Sequence, residues 1–190
     1  GIYGQRFNKS GQAQGGEFRL NTYGINDQIG PQVAMDIDGD FVVTWSSYQQ
    51  DGSLWGVYAR RYTSAGVAGE AQEFRVNQTT ANWQINPAID MANNGDFVIV
   101  WQSMNQDNIA AMDYGVYARM YKANGTETVD PTTNLPIGEF RMNSTVSGNQ
   151  TDPVVCVDAD GDYKGVWISS DGNGTGIYGR VVAVTPTSTL

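Results

Sequence analysis

The chain contains no histidine and a single cysteine, Cys156. Without imidazole there is no Ser-His-Asp triad, no His-based acid/base step and no His metal site. One thiol permits no internal disulfide and no thiolate zinc site. Lysine is confined to Lys9, Lys122 and Lys164. With 11 basic side chains against 20 acidic ones the formal charge is −9. That is the wrong sign for a nucleic-acid partner, which selects a basic face. No apolar run approaches the ~20 residues of a membrane-spanning helix, so membrane insertion through a helix is not expected.

What remains is a globular composition. The 190 residues are 40% hydrophobic and 11% aromatic, enough to bury a core and too apolar for a disordered chain. There are 23 glycines, and aspartate outnumbers glutamate 15 to 5. Gly, Asp and Asn are turn formers, so many tight turns are expected. The sequence opens at Gly1 with neither Met nor a signal segment. It therefore reads as a processed product or a piece of something longer.

An internal repeat organises the chain. Gly-Ile-Tyr-Gly at 1–4 returns as Gly-Val-Tyr-Ala at 56–59 and 115–118, and as Gly-Ile-Tyr-Gly at 176–179. Glu-Phe-Arg-x-Asn occurs at 17–21, 73–77 and 139–143. Each Asn is followed by Pro31, Pro87 or Pro153, then by a Gly-Asp pair, then by Trp45, Trp101 or Trp167. From Asn to Trp the three copies align without a gap, so length variation falls in loops. The repeats divide as 1–55, 56–114 and 115–175, with a terminal strand at 176–184, in one repeat-built domain.

Each repeat reads as four short strands. Glu73–Asn77 alternates, with Phe74 and Val76 on one face. Pro87 begins a second strand, at the position where Pro is tolerated. Asp96–Trp101 is a near-continuous apolar run, as for a strand covered on both faces. Asn94-Gly95 between them signals a type I′ hairpin. No amphipathic helix is evident. The expected fold is all-β: β-propeller-like blades of four antiparallel strands, about three repeats, with a β-sandwich as the rival. The N-terminus supplies the last two strands of a blade and the C-terminus the first three. The chain thus holds two complete blades and two partial ones. Open strand edges invite pairing, so self-association, or completion by adjacent repeats of a longer chain, is expected.

The pattern running from Pro31 to Trp45, then Asp51-Gly52-Ser53, then Gly56 to Tyr62 resembles repeats in large secreted bacterial proteins. These are adhesin-like, type I-secreted and calcium-associated. The resemblance covers almost the whole chain. It implies an extracellular or cell-surface, propeller-like repeat region and carries no activity with it.

Candidate sites divide between structural and functional readings. Asp36, Asp38 and Asp40, and Asp158, Asp160 and Asp162, cluster in two turns, which suits either tight turns or weak Ca²⁺ sites. Met91–Asp96 keeps the turn but loses two charges, which favours the turn reading; no cofactor is required. Trp45, Trp101 and Trp167 recur and belong in the core. Trp55 and Trp83 do not recur and are the better candidates for a ligand contact. Glu17, Glu73 and Glu139 recur with Arg19, Arg75 and Arg141; pairing of these Glu with Arg60, Arg119 or Arg180 across strands is expected. Cys156 is expected as a packed, inert thiol. No carboxylate pair stands out for catalysis. The first reading is therefore a non-enzymatic extracellular module for adhesion or for assembly into a surface structure or filament, with copies of itself or glycans as partners. The alternatives are a carbohydrate-binding propeller lectin and a glycan-active enzyme.

Overall fold

The computed structural model describes residues 1–107, 112–159, 161–170 and 172–182. They form antiparallel sheets and no helix. Strands β1 (Tyr3–Gly4) and β2 (Phe18–Arg19) pair at the N-terminus. The first full sheet runs in the order β3 (Gln28–Met35), β4 (Phe41–Tyr48), β5 (Trp55–Tyr62), β6 (Phe74–Arg75). The second repeats it with β7 (Gln84–Met91), β8 (Phe97–Met104), β9 (Tyr114–Tyr121) and β10 (Phe140–Arg141). The third holds β11 (Gln150–Val157), β12 (Tyr163–Ser170) and β13 (Thr175–Val182). The propeller-like expectation holds, with two full blades flanked by two partial ones. The first strand of each sheet packs against its predecessor's sheet, β7 on β3 and β4, β11 on β7 and β8.

The apolar runs that mark β4 and β8 are buried on both faces. One face of each packs against the preceding sheet and the other against the following one. Val42, Val57, Ala59 and Val76 of the first blade meet Phe97, Ile99 and Trp101 of the second. Val98, Val100, Val116 and Met142 of the second meet Tyr163 and Trp167 of the third. The recurring tryptophans are core residues, with Trp45 and Trp101 fully buried.

Three local expectations are corrected. The prolines do not begin their strands. Each lies four residues in, at a bulge that shifts the register between Ile29 and Gln32, Ile85 and Ala88, and Thr151 and Val154. A bulge spares the ladder the missing N–H. The hairpin at Asn94-Gly95 is not type I′, because only Gly95 has positive φ, +85°. Gly95 N–H donates to Ala92 O at 2.9 Å, and Ala92 N–H donates to Asp96 O at 2.8 Å. This is a type I turn closed by a left-handed glycine, the three-residue hairpin loop. Cys156 is exposed rather than packed, because the face of the third sheet that carries it has no following blade among the described residues.

Candidate functional site

At the end of the sheets where β5 and β7 begin, the chain brings together the two tryptophans that do not recur. Trp55 opens β5, and Trp83 stands one residue before β7. The two form a parallel backbone bridge across the junction of the first and second blades. The Trp83 carbonyl accepts Met104 N–H at 2.8 Å, which anchors it to β8. Its side chain remains 38% exposed. Tyr48 tilts against Trp55, with ring centroids 5.1 Å apart. At the second junction the equivalent residues are Tyr114 and Asn149, joined by a 3.1 Å hydrogen bond from Tyr114 N–H to Asn149 Oδ1. Among the described residues the aromatic pair therefore occurs at one junction.

Beside it lies Asp51. Its Oδ1 accepts Ser53 N–H at 3.0 Å, and its Oδ2 lies 3.5 Å from Asn77 Nδ2. A Cβ on Gly56 would come within 2.7 Å of that carboxylate, so glycine is what lets the acid sit there. The equivalent Asp107 is bound to the Tyr117 hydroxyl and to Asn143 Nδ2. Burial, with the nearby carboxylate second, pushes both the Tyr58 and Tyr117 phenols well above their ordinary range. They stay neutral.

The recurring Glu residues have a different job from the one expected. Glu73 does not pair with an arginine. Its carboxylate accepts Thr22 N–H and Tyr23 N–H, both at 2.8 Å, and the Thr22 hydroxyl at 2.5 Å. Glu139 does the same for Gln78 N–H at 2.6 Å and the Thr79 hydroxyl at 2.8 Å. Each clamps the turn that leads out of the preceding blade. The arginines reach backbone instead: Arg60 to Leu20 O at 2.9 Å, Arg119 to Val76 O at 2.7 Å. The recurring Asn–Gln pairs brace those turns from inside. Asn77 Oδ1 accepts Val57 N–H at 2.8 Å, and Asn143 Oδ1 accepts Val116 N–H at 2.8 Å.

The acidic turns hold their carboxylates on backbone. Asp36 Oδ1 accepts Asp38 N–H and Asp40 N–H, at 3.0 and 2.9 Å. Asp40 Oδ1 accepts Ser64 N–H at 2.8 Å. Asp158 Oδ1 accepts Asp162 N–H at 3.0 Å, and Lys164 lies 2.7 Å from its Oδ2. Asp160 lies outside the described residues. Among the described residues, no group of three or more His, Cys, Asp or Glu side chains is arranged to hold a metal ion.

One carboxylate escaped the sequence reading. Asp152 sits on β11 at the bulge, with φ +52°, where the first two blades have Gly30 and Asn86 at +63° and +54°. The residue before proline is normally extended; a left-handed Asp there is a strained backbone, of the kind that persists where surrounding structure enforces it. Its N–H is held by Gln102 Oε1 at 3.1 Å, and its side chain is exposed. The available signal was positional: it is the one acid in the pre-proline place of the three repeats.

No family model and no curated protein matches the sequence. Solved structures do match the fold. An endo-arabinase from Bacteroides thetaiotaomicron aligns over 89% of this chain, at 12% identity and a TM-score of 0.51. The chain spans 62% of that enzyme's length. A thermostable family-43 glycoside hydrolase aligns over 95% of the chain and 67% of its own, at 11% identity and 0.48. A fucose lectin from Kordia zhangzhouensis aligns over 83% of the chain and all of its own, at 12% identity and 0.42. The fold is thus β-propeller-like and is shared with the endo-arabinase. This overturns the expectation of a non-enzymatic module for adhesion or filament assembly. Repeats buried inside strands look like scaffolding from sequence, and the same scaffold carries enzymes.

Proposed function

We propose that this chain is the propeller of a glycan-active enzyme that binds a polysaccharide at the junction of its first two blades. The observation that carries the reading is the backbone bridge that sets the half-buried Trp55 beside the exposed Trp83. Exposed aromatic faces stack on sugar rings, and this pair stands at a strand-end rim, where propellers place ligand contacts. Its occurrence at one junction alone favours a single substrate site over the recurring sites of a multivalent lectin. An endo-arabinase shares the fold, and a polysaccharide is the substrate class proposed. Asp27, one residue before β3 of the first full sheet, and Asp152, on β11 of the third, lie toward the same end of the sheets as the tryptophans. They are the carboxylates proposed for acid/base work on a glycosidic bond, which needs two such groups. With a polysaccharide as substrate, the site of action proposed is outside the cell.

The test is a panel of plant and microbial polysaccharides, with reducing-end release and affinity electrophoresis as readouts. Release from one polymer class is expected. Asp152→Asn should lose release while keeping binding, and Trp83→Ala should lose binding. Binding without release by the unaltered chain would overturn the enzymatic reading and leave a lectin. Neither binding nor release would overturn both.

A further inference from the structure

Three gaps in the molecule have matching shapes. The first is a groove of about 850 Å³ between β1 and β3, lined by Ile2, Leu20, Val33, Met35, Phe41 and Val43. Val33 and Met35 are 64% and 65% exposed. At the next junction the equivalent Ile89 and Met91 pack into the core against the preceding blade. The groove is therefore the place of a preceding blade's first two strands.

The second gap is the far face of the third sheet. Val154, Ile177 and Val181 there are 55%, 75% and 63% exposed. Their counterparts Ala88, Val116 and Met120 lie in or against the core. The third gap is the outer edge of β13. In the full blades that edge is paired: Tyr58 with Arg75 and Ala59 with Phe74 in the first, Tyr117 with Arg141 and Ala118 with Phe140 in the second. β13 has no such neighbour among the described residues.

The turn at Ser144–Thr145 is also short of its clamp. Its counterparts at Thr22–Tyr23 and Gln78–Thr79 are capped by Glu73 and Glu139. Glu17, the third member of that series, is exposed, and among the described residues no hydrogen bond or ion pair involves its side chain.

We propose that a second copy of this chain fills all of these gaps at once by strand exchange. The Glu17–Asn21 segment of one copy adds to the edge of β13 of the other, Arg19 opposite Tyr178 and Phe18 opposite Gly179. Glu17 then caps the Ser144–Thr145 turn. The β11–β12 hairpin enters the groove, and Val33 and Met35 cover the exposed face of the third sheet. The segment displaced is β1, held to β2 by two residue pairs, whereas β13 is held to β12 by eight. The exchange is chemically even, because β1 and β13 carry the same tetrapeptide, Gly-Ile-Tyr-Gly at 1–4 and at 176–179. Each copy supplies three blades' worth of hairpins.

The test does not depend on any activity, so it stands apart from the glycan reading. Light scattering of the 20.7 kDa chain should give twice that mass. In a Cys156→Ser background, the pair Arg19→Cys and Tyr178→Cys should form a disulfide that joins two copies on a non-reducing gel. Cysteine at Arg19 alone or Tyr178 alone should not. A monomer at all concentrations, a disulfide within one copy, or a ladder of larger masses would each overturn the proposal.

Discussion

The Oε1 of Glu73 accepts the backbone N–H of Tyr23 at 2.8 Å, across the junction between the N-terminal strand pair and the first full blade. Partial burial acts to raise this carboxyl's pKa. The hydrogen bonds from Thr22 and Tyr23 outweigh it and hold the group at about 2, against an ordinary 4.5. A group lowered on folding stabilises the folded state above its unfolded value, and that contribution fades as pH falls through the folded one.

The expected consequence is a melting temperature that declines between pH 4.5 and pH 2 as this clamp is protonated. In Glu73→Gln the amide keeps an acceptor but loses the charge. The variant should melt lower at neutral pH and show a shallower acid dependence over that interval. Thermal melts in a pH series check it; parallel curves for the two proteins would show that the clamp contributes no pH-dependent stability.

The hairpin glycines differ in what surrounds them, and that difference is measurable. Gly95 has φ +85°, and a Cβ there would come within 2.8 Å of Ala123 Cβ and 3.2 Å of Asp36 Oδ2. Gly161 has φ +89° and open space around it. A β-branched residue is strained at either position, by about 1–3 kcal/mol. Gly95→Val should cost more than Gly161→Val, because it adds a clash to the strain. Equal losses in urea denaturation would mean that the Ala123 loop yields freely.

The tryptophans separate into two kinds. Trp101 is fully buried between two blades, and its truncation to Ala should cost about 3–5 kcal/mol. Trp83 is 38% exposed at the rim, and its truncation should cost clearly less than that of Trp101 while removing polysaccharide binding. A large stability loss at Trp83 would assign it to the core and remove the platform from the glycan site.

The blade architecture was legible in the sequence because Pro, Gly-Asp and Trp recur at fixed spacing, and that spacing is the length of a buried hairpin. The separation of recurring from non-recurring tryptophans was legible for the same reason: a core position must be filled in every blade. The role of Glu73 was not. An alternating Glu-x-Arg strand reads as a lateral ion pair, while the true partners are backbone N–H groups of a turn some fifty residues earlier, which carry no side-chain signature. The exposure of Cys156 was equally invisible, since its equivalents Ala34 and Asp90 are buried and half-buried, and among the described residues no following blade covers its face of the third sheet. Asp152 was hidden because bulges do not announce themselves in residue type.

The acidic turns give the last prediction. Asp36 Oδ1 is occupied by two backbone N–H groups and Asp40 Oδ1 by Ser64 N–H. In the second blade the same hairpin forms with Ala92 in place of Asp36, and Asn94 Oδ1 accepts Asp96 N–H at 3.0 Å. A carboxylate is therefore dispensable for the turn, and what the fold uses at Asp36 is an acceptor oxygen. Asp36→Asn keeps that oxygen and should leave stability nearly unchanged, whereas Asp36→Ala should cost on the order of 1 kcal/mol for the lost hydrogen bonds. EDTA should leave the melting temperature where it was. If these aspartates held Ca²⁺ in the folded state alone, chelation would remove a mass-action contribution and lower it by several degrees. Asp36→Asn would then behave like chelation rather than like the parent.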